Sequence, residues 1–442
     1  MNISRKWRLR SLIATGLAAA VTASVLVAGA GAGAGAATGG RHDSQRDWVG
    51  SWAAGVTRGN LTGTSSVGFN NQSVRMIVHG SVGGSKVRVR LSNVYGEKSI
   101  EVGHATVAKP DTTTPALTDV DPASVKQLTF GGSPSFVMPK GAELLSDPVD
   151  LPVANDQDLV VSVYFPTPTG LTTFHSTSRQ NSWSGTGDLA DDAAGTGYTV
   201  TRTCCWFFLS GVDVLRDKAA GSVIVFGDSV GDGNGIPVNS NLRWPDQLFD
   251  RLQGKVHPKA LPGVLNVSRA GARLSHEGLE PGDGGFPGFP ELGDNAYSRL
   301  DEDVFSETGA HAVIMALGVN DIWMNNDSPD TIIAAIRQVN QQIQQRGYPV
   351  LVGTIGPFEG LMGGNGTTVW SPEKEATRQA VNDYLRTHRD EFDAVVDFDK
   401  VLRDPAAPTK LRPEFDSGDH IHPNGAGNKA MAEAVPLHKI VR

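Results

Sequence analysis

Apolar residues between positions 47 and about 216 recur at every second place, and no helical period interrupts them. In "SVRMIVHG" Val74, Met76 and Val78 share one face, and in "SKVRVRLS" Val87, Val89 and Leu91 stand opposite Arg88 and Arg90. Gly83 and Gly84 lie between these two runs and signal a turn. "DQDLVVSVYFP" is a further strand that Pro166 stops. Alternation with period two marks half-buried strands, so residues 47–216 are expected to form an all-β sandwich or jelly-roll-like domain.

From residue 221 the pattern becomes short apolar runs set far apart: "SVIVF" (222–226), "VLNV" (264–267), "AVIMAL" (312–317), "VLVGTI" (350–355) and "AVVDF" (394–398). Two of the intervening stretches read as helices. One takes Ser328 as N-cap and Pro329 in its first turn, carries Ile332, Ile336, Val339 and Ile343 inward, and ends at Gly347 before Pro349. The other opens on "SPEKE" at Ser371 and turns Ala380, Val381, Tyr384 and Leu385 inward. Buried strands alternating with helices predict a five-stranded parallel α/β sheet over residues 221–442, with ligands at the carboxyl ends of its strands.

The polar residues at those ends form a set. Ser229 leaves the first strand in "FGDSVGDGNG", Gly271 follows the second in "NVSRAGARL", Asn320 ends the third in "GVND", and "DSGDHIHPNGAGNKAM" precedes the last helix. A serine hydroxyl needs a base to take its proton, and an imidazole with a carboxylate on its other nitrogen is suited to that role. A tetrahedral intermediate needs donors aimed at its oxyanion. The Ser229 N–H, the Gly271 N–H and the Asn320 amide are candidates for them. Asp419 and His422 are three apart, so the carboxylate can orient that imidazole toward Ser229, while His420 is read as a wall or surface residue. The Gly-rich turn lacks both GxGxxG spacing and a following GK[ST], which argues against a dinucleotide or P-loop site. His175 in "TTFHSTS" is read as an ordinary loop histidine, with a place in the cleft as the alternative. Asp232 is read as an organiser of the turn behind Ser229 through backbone N–H bonds.

GDS at 227–229, Gly271, GVND at 318–321 and DHIH at 419–422 resemble the four sequence blocks of the GDSL or SGNH hydrolase superfamily. The resemblance covers about 220 residues of the α/β part and implies a flavodoxin-like sheet. It implies Ser229 as nucleophile, His422 as base, Asp419 as the third triad member, and Ser229, Gly271 and Asn320 around the oxyanion. "NLRWPDQLFDRL", "VVDFDKVLRDP" and the β-rich "TRGNLTGTSSVGFNNQSVRMIVHGSVGGSKVRVRLSNVYGE" look like a secreted two-domain subgroup of acylhydrolases and arylesterases. The chain departs from that subgroup where "GDSVGDG" stands for GDSITDG and "AGAR" for GGNR. Ala272 therefore replaces an amide, which bears on substrate fit.

Composition adds the setting. "MNISRKWRLRSLIATGLAAAVTASVLVAGAGAGAGA" has a basic start, an apolar middle and Ala-x-Ala arrays, so residues 1–36 are expected to be a signal peptide and 37–46 a linker. Its removal would take the formal charge from -8 to -12. An acidic exported protein is a poor ligand for nucleic acid or anionic lipid. Adjacent Cα atoms sit ~3.8 Å apart, below the usual disulfide span. Cys204 and Cys205 are therefore read first as two small residues in the strand-like "CCWFFLSGVDV", with a strained, redox-labile bridge between them as the alternative, and neither a disulfide framework nor a Cys-based metal site is expected.

The expected activity is that of a secreted carboxylic ester hydrolase on short acyl groups, acetylated glycans first, working without cofactor or metal. Its expected partner is a small-molecule or polysaccharide ester, with no nucleic acid and no stable membrane insertion after leader removal. A lipase or acyltransferase on longer chains, and a non-catalytic glycan-binding protein, remain alternatives. Phe286 and Phe289 either line an acyl slot or pack their loop, and Trp323 and Trp370 either stack on a sugar or sit in the core.

Overall fold

Two large antiparallel sheets, with a three-stranded and a two-stranded one beside them, build the first half of the computed structural model, which describes residues 46–114, 117–218, 220–283, 286–364 and 366–442. One sheet has four strands in the order Arg46–Ala53, Leu209–Asp217, Lys86–Ser92, Glu143–Leu145. The other has six, in the order Val200–Arg202, Ser182–Thr186, Gln72–Gly80, Gln157–Phe165, His104–Ala108, Lys126–Gln127. Val74, Met76 and Val78 meet Val87, Val89 and Leu91 in one core between them, as the alternation requires. The expected leader and nearly all of the linker lie outside the described residues, and among those described no helix is long and apolar enough to cross a membrane.

Five parallel strands build the second half: Ser222–Gly227, Gly263–Asn266, Ala310–Ala316, Val350–Gly353 and Ala394–Val396. Their spatial order, second, first, third, fourth, fifth, is the flavodoxin-like order, which puts a topological switch point between the first and third strands. The fifth run is shorter than its sequence pattern. Asp397 caps a helix at Phe398–Leu402 by accepting from the Lys400 N–H, so Phe398 begins a helix and does not end a strand.

The helix Pro329–Gln345 is capped by Ser328, whose hydroxyl accepts from the Thr331 N–H, and buries Ile332, Ile336, Val339 and Ile343. Each such side chain contributes about 1.5–3 kcal/mol relative to exposure. Ser371 caps the helix Pro372–Thr387 in the same way, but its inward face corrects the apolar reading. Ala380 is exposed, and Glu375, Arg378 and Asn382 are buried beside Val381 and Leu385. These polar groups are spoken for: Arg378 pairs with Glu375 and Asp399, and the Asn382 amide both donates to and accepts from the Ile355 backbone.

From Ser44 onward the chain is one compact unit, so the two halves share buried surface. Arg90, on the far side of its strand from Val89 and Leu91, is covered by the α/β half and pairs with Glu307 at 3.2 Å and Glu143 at 3.1 Å. The Ser222 hydroxyl donates to the Gly50 carbonyl, and the Val264 N–H donates to the Ser81 hydroxyl. This seam runs to the carboxyl ends of the parallel strands, where the candidate site lies.

Candidate active site

The first strand ends at Gly227, and Asp228 caps a single helical turn, Ser229–Asp232, by accepting from the Val230 N–H. Gly233 closes the turn with φ 88°, a left-handed conformation that suits glycine. Ser229 is thereby held at the strand end with its hydroxyl facing the last loop. Burial pushes the Asp228 carboxyl up to about 6, against the pull of the Val230 N–H.

His422 reaches this hydroxyl from just ahead of the helix Gly425–Ala434: its Nε2 lies 2.8 Å from Ser229 Oγ and its Nδ1 lies 2.6 Å from Asp419 Oδ2. A carboxylate only accepts, so Nδ1 carries the proton and Nε2 offers its lone pair to the serine O–H. Asp419 also accepts from the Ile421 and His422 N–H groups. Burial works against its charge, but the bond to His422 and these backbone donors win and hold the carboxyl well below the usual range. His420 points elsewhere, with its Nδ1 2.6 Å from Asp416, and is exposed as the sequence suggested.

Gly271 and Asn320 stand on the other side of Ser229. Gly271 has φ 76°, and a Cβ there would lie 2.2 Å from Leu292 Cδ2. A larger residue would be strained by this backbone conformation and would have to displace the end of the Leu292 side chain. Among the described residues its N–H has no acceptor. The Asn320 amide is fixed at both ends: Nδ2 donates to the Ala272 carbonyl at 2.9 Å, and Oδ1 accepts from Trp323 Nε1 at 2.8 Å. Its second N–H is left for a ligand. Trp323 was not read as a partner of Asn320, although the i, i+3 spacing on one helix places both on the same face. Ala272 is fully buried and does not line the cleft described below.

The β half also enters the site, by a route the sequence did not disclose. His175 is not a loop residue: it lies in the strand Thr173–His175 and is almost fully buried. Its Nδ1 is 2.8 Å from the Gly55 carbonyl and its Nε2 is 2.8 Å from Asp232 Oδ1. Both partners only accept, so both ring nitrogens carry protons and the ring is an imidazolium. Burial opposes that charge, and Asp232 outweighs it, raising the pKa of His175. Asp232 Oδ2 accepts from the Ala270 N–H at 3.0 Å. Asp232 thus links the serine turn, the Gly271 loop and the β half, a wider task than organising its own turn.

Cys204 and Cys205 are joined by a disulfide, which is the alternative to the first reading of two small free residues. The run is not a continuous strand, because Cys205 has φ 81°. This left-handed residue turns the chain so that neighbouring side chains need not point to opposite faces, as they would in a strand.

A cleft of about 660 Å³ contains Ser229, Gly271, Asn320 and His422. Phe286, Phe289, Leu292, Trp323 and Met324 line one part of it, and Phe174, Phe207 and the disulfide another. Trp323 and Trp370 both pack against the α/β core, and of the two only Trp323 lines the cleft. The one cluster among the described residues with metal-ligating geometry is His276, Asp321 and Asp327. Its atoms already serve one another and the chain: His276 bonds to Asp327 and Glu280, and Asp321 accepts from the Leu274 N–H.

A parallel sheet in this order, with a serine, an imidazole and a carboxylate hydrogen-bonded in series at its switch point, defines the class of serine-dependent α/β hydrolases. Residues 225–430 match the family model of the GDSL-like lipase/acylhydrolase family. The chain therefore carries a carboxylic ester hydrolase domain of the GDSL/SGNH type. Among solved structures, it is similar to an acetyl xylan esterase (18% identity over 48% of this chain and 96% of the other, TM-score 0.35). It is also similar to a GDSL-like lipase from Bacteroides thetaiotaomicron (13%, 50% and 88%, 0.35). A family two carbohydrate esterase from Cellvibrio japonicus (11% identity, TM-score 0.34) aligns over 89% of this chain and 97% of its own. No curated protein matches the chain.

Proposed function

We propose that the protein is a secreted ester hydrolase that removes short acyl groups, acetyl on a glycan among them, through an acyl-enzyme on Ser229. The observation that carries this reading is the unbroken series Asp419–His422–Ser229 beside the donors of Gly271 and Asn320. Export is read from the basic, apolar and small-residue character of residues 1–36.

In this mechanism Ser229 Oγ attacks the ester carbonyl while its proton passes to His422 Nε2, and Asp419 stabilises the imidazolium that forms. The carbonyl oxygen, now anionic, is met by the N–H groups of Ser229 and Gly271 and by Asn320 Nδ2. The intermediate expels the alkoxide, which leaves with the proton from His422. Water then gives a proton to His422 and attacks the acyl-enzyme, releasing the acid and restoring Ser229.

Asn320→Ala is expected to lower kcat by about 10²- to 10³-fold with little change in KM, the signature of a donor used mainly in the transition state. Steady-state kinetics on one soluble ester checks it; a rise in KM at constant kcat would assign Asn320 to ground-state binding.

A short acyl group suits the wall next to the oxyanion donors, where Leu292 crowds Gly271 and Trp323 is bonded to Asn320. A second reading, a lipase for longer chains, is favoured by the apolar strip that runs on through Phe286, Phe289 and Leu361. Acetyl, octanoyl and palmitoyl esters of one chromogenic alcohol separate the two, with Ser229→Ala as blank. Highest kcat/KM on acetyl is expected; a preference for octanoyl or palmitoyl would replace the first reading by the second.

A further inference from the structure

Beside His422 the cleft opens into a second space of about 410 Å³ with a different character. The cleft has an aromatic and aliphatic wall; this pocket shares Ser176, Thr177 and Asn234 with it and adds Arg179, Thr203 and Asp419, and no large apolar side chain faces it. Ser176, Thr177, Arg179 and Thr203 come from the β half of the chain. Among the described residues, the Thr203 hydroxyl makes no hydrogen bond within the protein and lines this pocket, so it is free to bind a ligand. Cys204 lines both spaces and Cys205 only the cleft, so the disulfide stands at their junction.

Ester cleavage gives these two spaces different occupants. The oxyanion must face Gly271 and Asn320, and the departing oxygen must face His422 Nε2, because it leaves with the proton held there. Leu292, Trp323 and Phe286 are contiguous with the oxyanion donors: Leu292 touches Gly271, Trp323 bonds to Asn320, and Phe286 packs edge-on against Trp323 at 5.6 Å. The acyl group therefore falls on the apolar side and the alcohol on the side of His422.

We infer that the β half builds the alcohol subsite of this enzyme, and that the alcohol is polyhydroxylated, of the size and chemistry of a sugar ring. The inference rests on the hydrolase reading above and gives the β half a function in it. Hydroxyl and guanidinium groups complement ring hydroxyls, and a purely apolar alcohol would leave them unpaired at a cost.

The test is the ratio of kcat/KM for an acetylated methyl xyloside to that for nitrophenyl acetate, measured in the wild type and in Thr177→Val and Thr203→Val. These substitutions keep side-chain volume and remove only the hydroxyl. The double variant is expected to lower the ratio about tenfold, as the loss of one or two hydrogen bonds to substrate implies. A ratio within twofold of the wild type, with both esters turned over, would overturn the subsite and leave the hydrolase reading standing. If the wild type hydrolysed neither ester, the hydrolase reading itself would fall, and the subsite with it.

Discussion

Ser229→Ala is expected to abolish nearly all ester hydrolysis, lowering kcat by about 10⁴- to 10⁶-fold while the protein stays folded. The side chain is small, and the turn that carries it is held by other groups: the Asp228 cap, the left-handed Gly233, and Asp232 bound to the Ala270 N–H. His422→Ala is expected to cost about as much, and the double variant little more than either, because a proton relay acts as a unit. Asp419→Ala should cost less, since its carboxylate is half-exposed and water can take part of its place. Single-turnover and steady-state rates on one chromogenic ester, with circular dichroism as the control for folding, check all of these. Additive losses from Ser229 and His422 would mean that they do not share one proton.

The second large effect concerns the seam between the halves. His175→Leu leaves Asp232 buried without its cationic partner, and breaking a buried pair in this way is expected to cost about 3–5 kcal/mol of stability. The pair also makes stability depend on pH. The folded-state pKa of His175 is raised above its unfolded value near 6.5, so its contribution is complete below about pH 6.5 and is lost as pH rises through the folded value. The wild type should therefore lose stability on the alkaline side relative to a His175→Gln variant, whose amide still reaches Asp232 but does not titrate. Denaturant midpoints taken across pH check this, and parallel curves for the two proteins would remove His175 from the account.

The chemistry of the site was legible because each residue sits at a fixed distance from a strand end. Ser229, Gly271 and Asn320 follow apolar runs too short to be anything but buried strands, and a parallel sheet brings such ends to one rim. Asp419 and His422 were legible through their spacing on a single turn. Contacts between groups far apart in sequence were hidden. Nothing local says that His175 will meet Asp232, or that Arg90 will pair with Glu307, since each depends on how two sheets pack. Backbone conformation was hidden too: the left-handed Cys205 brings together two sulfurs that an extended reading sets apart. The inward polar face of the helix at 372–387 escaped because Arg378 and Asn382 read as solvent residues until Asp399 and the Ile355 backbone are seen against them.

The central claim is that Ser229 is the group that becomes acylated, and covalent trapping tests it most directly. The full-length protein would be treated with a fluorophosphonate and the adduct located by peptide mass spectrometry. A single adduct on Ser229, lost in Ser229→Ala and slowed by orders of magnitude in His422→Ala, is the predicted result. An active enzyme that takes no label, or one that carries it on another residue, would contradict the account.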